Sequence, residues 1–532
     1  MTLSLPSTLF WQIPLSSRLL QSLMESAGIK SRSIRFSIIA IAVLLRRTAQ
    51  CQNTGIELPG CRAHAMDLAQ FGGVGDGIAS NTNAFRDAIA NLSCYASDGG
   101  SMLVVPAGRW LTGPFNITAS HFTLYLEENA EILASTDIDE YPIVAPLPSY
   151  GRGRDTPGGR YSNFIWGSNL TDVIITGENG TINGQGQFWW DKFHKKELNS
   201  TRGYLLELMF SEYIVISNLT FVNSSAWNLH PVYCKSVFFT HITCFYISKG
   251  SLGAPIEVLQ CVLKVTGSSP ESSLLQKCMV SNVIISGVTV LAPVDSPNTD
   301  GINPDSCSNV LIEDSFVVSG DDCIAIKSGW DEYGISFGRP SEHILIRRFS
   351  CISPDSAVIA LGSEMSGGIQ DVRAENIVAI NSESAVRIKT GAGRGGFVRD
   401  IFVRGVTLHT MKYVFWITGN YGDHPDDKWD PKALPEITRI NYSDIFAENV
   451  TMAARLEGIE NDTFTDICIS NVTLGLSAKP KKVQWSCALV EGRSSDVSPR
   501  ACDELPEMGT PCAYPPDLLP IEHVKVGCCN RY

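Results

Sequence analysis

The chain has 532 residues, 44% hydrophobic and 18% charged, which is apolar enough to bury a large core and rules out a disordered chain. Lys and Arg number 42 against 55 Asp and Glu, and the resulting net charge of −13 disfavours a nucleic-acid partner, which would be held by neutralising its phosphates. Forty-five Gly and many Val, Ile, Asn and Thr clusters, with few stretches of helical period, predict many short strands joined by turns.

Lys30, Arg32 and Arg35 precede an apolar run from Phe36 to Leu45. That run is shorter than the roughly 20 residues a spanning helix needs and matches the apolar part of a secretory signal. Residues 1–50 are therefore read as a signal peptide, with a retained anchor left open by Arg46 and Arg47, and with Met24 as the alternative start that gives a leader of ordinary length. Eleven Asn-x-Ser/Thr acceptors, at Asn91, Asn116, Asn169, Asn179, Asn199, Asn218, Asn223, Asn441, Asn449, Asn461 and Asn471, suit a secreted glycoprotein. An Asn- and Thr-rich strand protein also creates such tripeptides by chance, so only exposed ones are expected to carry glycan. Sixteen Cys with no Cys-x-x-Cys pair and no zinc spacing favour disulfides over a metal, above all for Cys487, Cys502, Cys512, Cys528 and Cys529 in a Cys/Pro-rich tail over 481–532.

Phe71-Gly72-Gly73-Val74-Gly75-Asp76-Gly77 followed by Asn83 to Ile89 reads as a glycine turn leading into a short amphipathic helix, suited to cap the open end of a stack. The stack itself is announced by a recurring strand opener, a polar residue followed by alternating apolar ones. Val283, Val310, Ile344, Val372 and Ile401 mark five openers, spaced by 27, 34, 28 and 29 residues. No long amphipathic helix accompanies each unit, so the unit is one coil of short strands, and the fold expected over 51–480 is a single-stranded right-handed parallel β-helix. The interval of 70 residues from Tyr213 to Val283 breaks the rhythm. The irregular stretch at 244–280 is read as an extra coil with a loop, an insertion, or unspliced coding sequence.

Residues one coil apart in sequence become neighbours in such a stack. Asp300 precedes Asp321 and Asp322 by 21 and 22 residues, so three carboxylates are expected on one face, with a bend at Gly320 bringing the adjacent pair to the surface. Arg387 and Lys389 share a face further along. Crowded carboxylates repel, so one is expected to keep its proton as a general acid while its neighbours stay ionised, the division of labour that glycosidic hydrolysis needs. Taken singly, each Asp is more readily a solvated or calcium-binding turn; the joint pattern argues against that.

Asn298-Thr299-Asp300-Gly301, Gly320-Asp321-Asp322-Cys323 and Arg387-Ile388-Lys389, in this order, resemble the polygalacturonases of glycoside hydrolase family 28, which are right-handed parallel β-helices. The resemblance runs from about Met66 to Leu476. It implies Asp321 as general acid, Asp300 and Asp322 as activators of the attacking water, inversion at the anomeric carbon, and Arg387 and Lys389 as ligands of the substrate carboxylate, with Asn298 and His230 also binding substrate. It further implies α-1,4-galacturonosyl bonds of pectin as the target, no metal or organic cofactor, a secreted cell-wall location, a monomer without stable membrane association, and a disulfide between Cys323 and Cys351. One departure stands out. The family's Gly-His-Gly is replaced by Asp355-Ser356-Ala357, and Leu361 to Gly368 resembles a branch that includes chain-end-cleaving enzymes, so internal and chain-end cleavage are both open. A pectate lyase acting by elimination with calcium, and a non-catalytic wall-binding protein, are the alternatives.

Overall fold

The polar residues that open the strands do so because they stand at corners. In the computed structural model, which describes residues 62–234 and 283–523, Asn309, His343, Asp371 and Asp400 have φ of 54°, 54°, 47° and 56°, and Arg439 and Asp466 continue the row at 53° each. Five positions after each comes a second left-handed corner, at Asp314, Arg348, Asn376, Gly405, Asp444 and Asn471. Left-handed backbone is tolerated best by Gly, Asn and Asp, which explains the composition of these rows. Seven of the eleven glycan-acceptor residues, Asn169, Asn179, Asn218, Asn223, Asn449, Asn461 and Asn471, also have positive φ, so corner geometry accounts for most of those tripeptides without any glycan.

The residue after each opener points inward and stacks on its equivalent one coil away. Val173, Ile214, Val283, Val310, Ile344, Val372, Ile401, Ile440 and Ile467 form one continuous parallel register, and every one is buried. The five predicted openers thus lie in a single column of a right-handed parallel β-helix. In the later coils the strands are long and bend round the corners, as in Ile369–Lys389, Phe397–Thr418 and Glu436–Glu457.

Across the irregular interval, Glu212–Ser217 pairs directly with Val283–Ser286, and Thr220–Val222 with Thr289–Leu291. No strand intervenes between the partners in those ladders. The stretch 244–280 itself, like the leader and Cys528 and Cys529, lies outside the described residues.

The expected capping helix is present as Thr82–Ser93, and Ala84, Phe85, Ala88, Ile89 and Leu92 bury its apolar face against the first coils. At the other end the stack runs past the boundary expected at 480: Trp485–Ala488 pairs with Ala454–Glu457, and Val490–Ser498 with Phe464–Thr473. The segment that leaves the stack therefore begins near 499. It is tied back by disulfides Cys487–Cys502 and Cys468–Cys512, and its Leu519 and Ile521 cover an outward apolar column of Val215, Ile284, Leu311 and Leu345. Cys323 and Cys351 are joined across successive coils. No described helix is long and apolar enough to cross a membrane.

Ile344 is fully buried at the middle of the inward column. Ile344→Ala is expected to cost about 2–5 kcal/mol by urea denaturation, against a change within about 0.5 kcal/mol for Leu434→Ala at an exposed loop position. Equal effects at the two positions would contradict the assigned column.

Candidate active site

Another column of inward residues, Leu206, Leu229, Ile302, Ile324, Ile359, Val386 and Phe415, builds the face that carries the site. By strand alternation the next residue in each coil points outward, giving a row of Glu207, His230, Asn303, Ala325, Ala360, Arg387 and Trp416. Asp300 and Asp322 enter this face from the corner at the same register, since Gly301 N donates to Asp322 O at 3.0 Å. Gly320 serves close approach: a Cβ there would lie 2.1 Å from Ser296 O. The winding brings one carboxylate oxygen from each of Asp300, Asp321 and Asp322 within 4.8 Å of the others.

The three acids have different surroundings. Asp300 is buried, accepts from Asn303 Nδ2 at 2.8 Å, and lies 3.7 Å from Lys327 Nζ. Burial, and then the charge of Asp321, push its pKa up to about 7. Asp322 is equally buried, and burial alone would raise it. Lys389 Nζ at 2.5 Å and the Ser356 hydroxyl at 2.6 Å overcome that effect and hold it below the usual carboxylate range. Asp321 is the only one of the three that is partly exposed to the cleft. Its Oδ1 accepts from Asp322 N at 2.8 Å. Below pH 7 the cluster therefore holds a buried ionised carboxylate, a buried protonated one, and a third that faces solvent.

The other expected residues fall into two groups. Asn298 is at the site, with Nδ2 3.5 Å from Asp321 Oδ2 and Oδ1 fixed by Arg202 Nη2 at 2.8 Å. Arg387 and Lys389 share the outward face as expected, but Lys389 is committed to Asp322. Arg387 is bound to Glu383 at 3.2 Å and its guanidinium carbon lies over the Trp416 ring, 3.6 Å from the centroid, leaving a partly exposed cation on an aromatic platform.

His230 requires a correction. It belongs to the outward row, yet its ring is fully buried, with Nδ1 2.9 Å from Glu207 Oε1, Nε2 3.5 Å from Asp305 Oδ2, and Tyr204 and Trp227 against it. Burial would lower its pKa, but the two carboxylates raise it; burial would raise that of Glu207, but Arg160 and His230 hold it at about 2. His230 is thus buried between two carboxylates beneath the cleft and cannot touch a sugar.

What covers it also shapes the cleft. Leu147, Tyr150, Tyr204, Trp227, Tyr233 and Trp330 form a separate apolar cluster above Glu207, His230 and Asp305. Arg154 locks this roof in place, pairing with Glu364 and Asp423 at 2.7 Å each and lying 4.3 Å over Trp330, while Arg152 donates to Pro425 O at 2.9 Å. On the N-terminal side of the carboxylates this cluster leaves the outward residues Glu207 and His230 fully buried. On the other side Arg387, Trp416 and Arg455 are partly exposed, and the cleft is open.

The profile described as Glycosyl hydrolases family 28 matches residues 102–251 and 265–499. The chain belongs to this family of glycosyl hydrolases. It is 57% identical over 474 residues to a "Probable polygalacturonase" of Vitis vinifera, covering 88% of this chain and 87% of that one. It is 25% identical to an "Exopolygalacturonase" of Zea mays over 51% of each chain. Among solved structures, an exopolygalacturonase from Thermotoga maritima matches with a TM-score of 0.62 at 24% identity over 88% of this chain and 96% of that one, and a polygalacturonase from Erwinia carotovora matches with 0.55 at 19% over 82% and 98%. At those identities the structural matches speak for the β-helix alone. A hydrolase family leaves no support for the elimination chemistry raised as an alternative.

Sequence reasoning missed Glu364 and Arg154. Glu364 is buried between Lys327 at 2.9 Å and Arg154, and those cations hold it well below the usual range against the effect of burial. A Glu in the Gly362-Ser363-Glu364 run signals only a turn, and Arg154 sits in a segment with no periodicity at all.

Asp300→Asn supplies a test of the electrostatics. Asp300 binds its proton more tightly in the folded chain than in the unfolded one, so wild-type stability falls as pH rises from the ordinary carboxylate range to about 7. The variant has no such loss, and its stability relative to wild type is expected to grow by a few kcal/mol across that window and then level off. A pH-independent difference in urea midpoints would contradict the assigned proton.

Proposed function

We propose that this chain hydrolyses α-1,4-galacturonosyl bonds of pectin or polygalacturonate from a chain end, with inversion, outside the cell. The Vitis vinifera relative, polygalacturonase by name, supports the substrate class. The observation that carries the chemical reading is the trio of unlike carboxylates. Asp321, the one open to the cleft, gives its proton to the glycosidic oxygen as that bond breaks. Asp322, kept ionised by Lys389, takes a proton from the water that attacks the anomeric carbon on the opposite face, and Asp300, protonated up to about pH 7, holds that water with it. Arg387 on Trp416 receives the carboxylate and face of the next sugar.

Closure of the cleft by Arg154, Trp330 and the roof above His230 supports chain-end action, because a polymer entering past Trp416 meets a wall just beyond the carboxylates. The three acids with their lysines argue against a protein that only binds the wall. The basic and apolar pattern over 30–45 supports secretion, which mass spectrometry of the mature N-terminus would test.

Incubation with polygalacturonate is expected to release short products, chiefly monomer, from the first time points, with the inverted anomer detected first by NMR. Asp321→Asn is expected to lower kcat by about 10²–10⁴-fold. An early ladder of long oligomers would overturn chain-end action, and an unimpaired Asp321→Asn would overturn the acid assignment.

A further inference from the structure

The residue standing where the family's histidine is missing touches two of the three acids. Ser356 is buried, and its Oγ lies 2.6 Å from Asp322 Oδ1 and 3.0 Å from Asp321 Oδ1. A hydroxyl carries one hydrogen, so it can donate to only one of these oxygens at a time. The backbone of Ser356 is anchored without the side chain, its N donating to Ser353 O at 3.3 Å and its O accepting from Glu383 N at 3.0 Å. The hydroxyl is therefore free to turn while its oxygen stays in place.

We propose that Ser356 is a positioning residue that couples the acid to the base, turning its single hydrogen from Asp322 to Asp321 as the glycosidic bond breaks. This rests on the roles given to the two carboxylates under the proposed function. In the resting site Asp322 is the anion and receives the hydroxyl hydrogen, together with Ala357 N at 3.0 Å and Lys389. When Asp321 has passed its proton to the leaving oxygen it becomes the anion, and its Oδ1 has only the backbone N–H of Asp322. At the same moment the proton from water neutralises Asp322, which no longer needs the hydroxyl. Ser356 keeps its own hydrogen throughout, forms and breaks no covalent bond, and follows the negative charge from one carboxylate to the other. Two donors that each served one acid would leave no such link between the half-reactions.

The charged groups around the pair are Asp300 from the preceding coil, Lys327 from the pair's own coil and Lys389, with Arg387 acting on it, from a following coil. All of them remain in Ser356→Ala. Removing the hydroxyl takes a donor from Asp322, the ionised carboxylate of the resting site, which must then hold its proton to higher pH.

The test compares wild type, Ser356→Ala and Ser356→Thr on a galacturonate oligosaccharide over the full pH range, after circular dichroism confirms folding. Ser356→Ala is expected to lower kcat by about 10–100-fold with KM near wild type, the loss of a hydrogen bond to a charged group. The acid limb of its kcat profile, which reports Asp322, should move to higher pH, and Ser356→Thr should restore rate and profile. A structural defect alone would lower the rate without moving that limb. In parallel, carbon NMR of labelled aspartates needs no turnover and should show Asp322 of Ser356→Ala titrating at higher pH than in wild type. An unmoved Asp322 titration, or wild-type kcat and limbs in Ser356→Ala, overturns the proposal. A shifted titration in a protein that does not hydrolyse the substrate overturns the proposed function and leaves the contact of Ser356 with Asp322 standing.

Discussion

Every feature of the site depends on left-handed corners. A residue with positive φ at the same place in each coil sets the length of each strand and the inward direction of the residue that follows, and so holds the parallel register from Val173 to Ile467. That register places Asp300 and Asp322 on adjacent coils and keeps Lys327, Glu364 and Lys389 beside them. Parallel strands lie about 4.8 Å apart, which is also the scale on which the three carboxylates gather. A slip of one residue would turn Arg387 and Lys389 into the core and bring Ile388 to the cleft.

Burying this many charges is costly unless each finds an opposite partner. The site meets that condition unevenly. Lys389 compensates Asp322, and Lys327 with Arg154 compensates Glu364, whereas Asp300 sits 3.7 Å from a lysine already committed elsewhere and resolves its burial by retaining a proton. Unlike acids in one small space arise from that inequality. The same network fixes the roof, because Glu364 ties the lysine beneath the acids to the arginine that closes the cleft. The carboxylates and the roof beside them are thereby built on one ionic chain.

Much of this was legible in the amino-acid order and some was not, for physical reasons. Corner residues are restricted by φ, so Asn309, His343, Asp371 and Asp400 announce the coils, and the apolar residue after each announces the core. The capping helix is legible because its apolar side follows a helical period. His230 was misread because a resemblance between short segments says nothing about what lies on top of a side chain; the covering residues Leu147 to Arg154 come from an aperiodic loop far away in sequence. The end of the stack was placed too early because the four residues of Trp485–Ala488 are too few to show a period and Val490–Ser498 is mostly polar. Ser356 looked like a loss of the family histidine, since a sequence shows the absent ring but not the two oxygens its replacement touches.

The account turns on a sugar chain that lies along the face carrying the three carboxylates, with its broken bond at Asp321 and its end against Arg154 and Trp330. A crystal structure of Asp321→Asn with a bound galacturonate oligosaccharide tests this most directly. The account predicts a glycosidic oxygen within hydrogen-bonding distance of residue 321, the remaining sugars running past Arg387 and Trp416 toward Arg455, and no sugar beyond Trp330. An oligosaccharide that crosses the position of the roof, or binds with its linkages away from the three carboxylates, would contradict it.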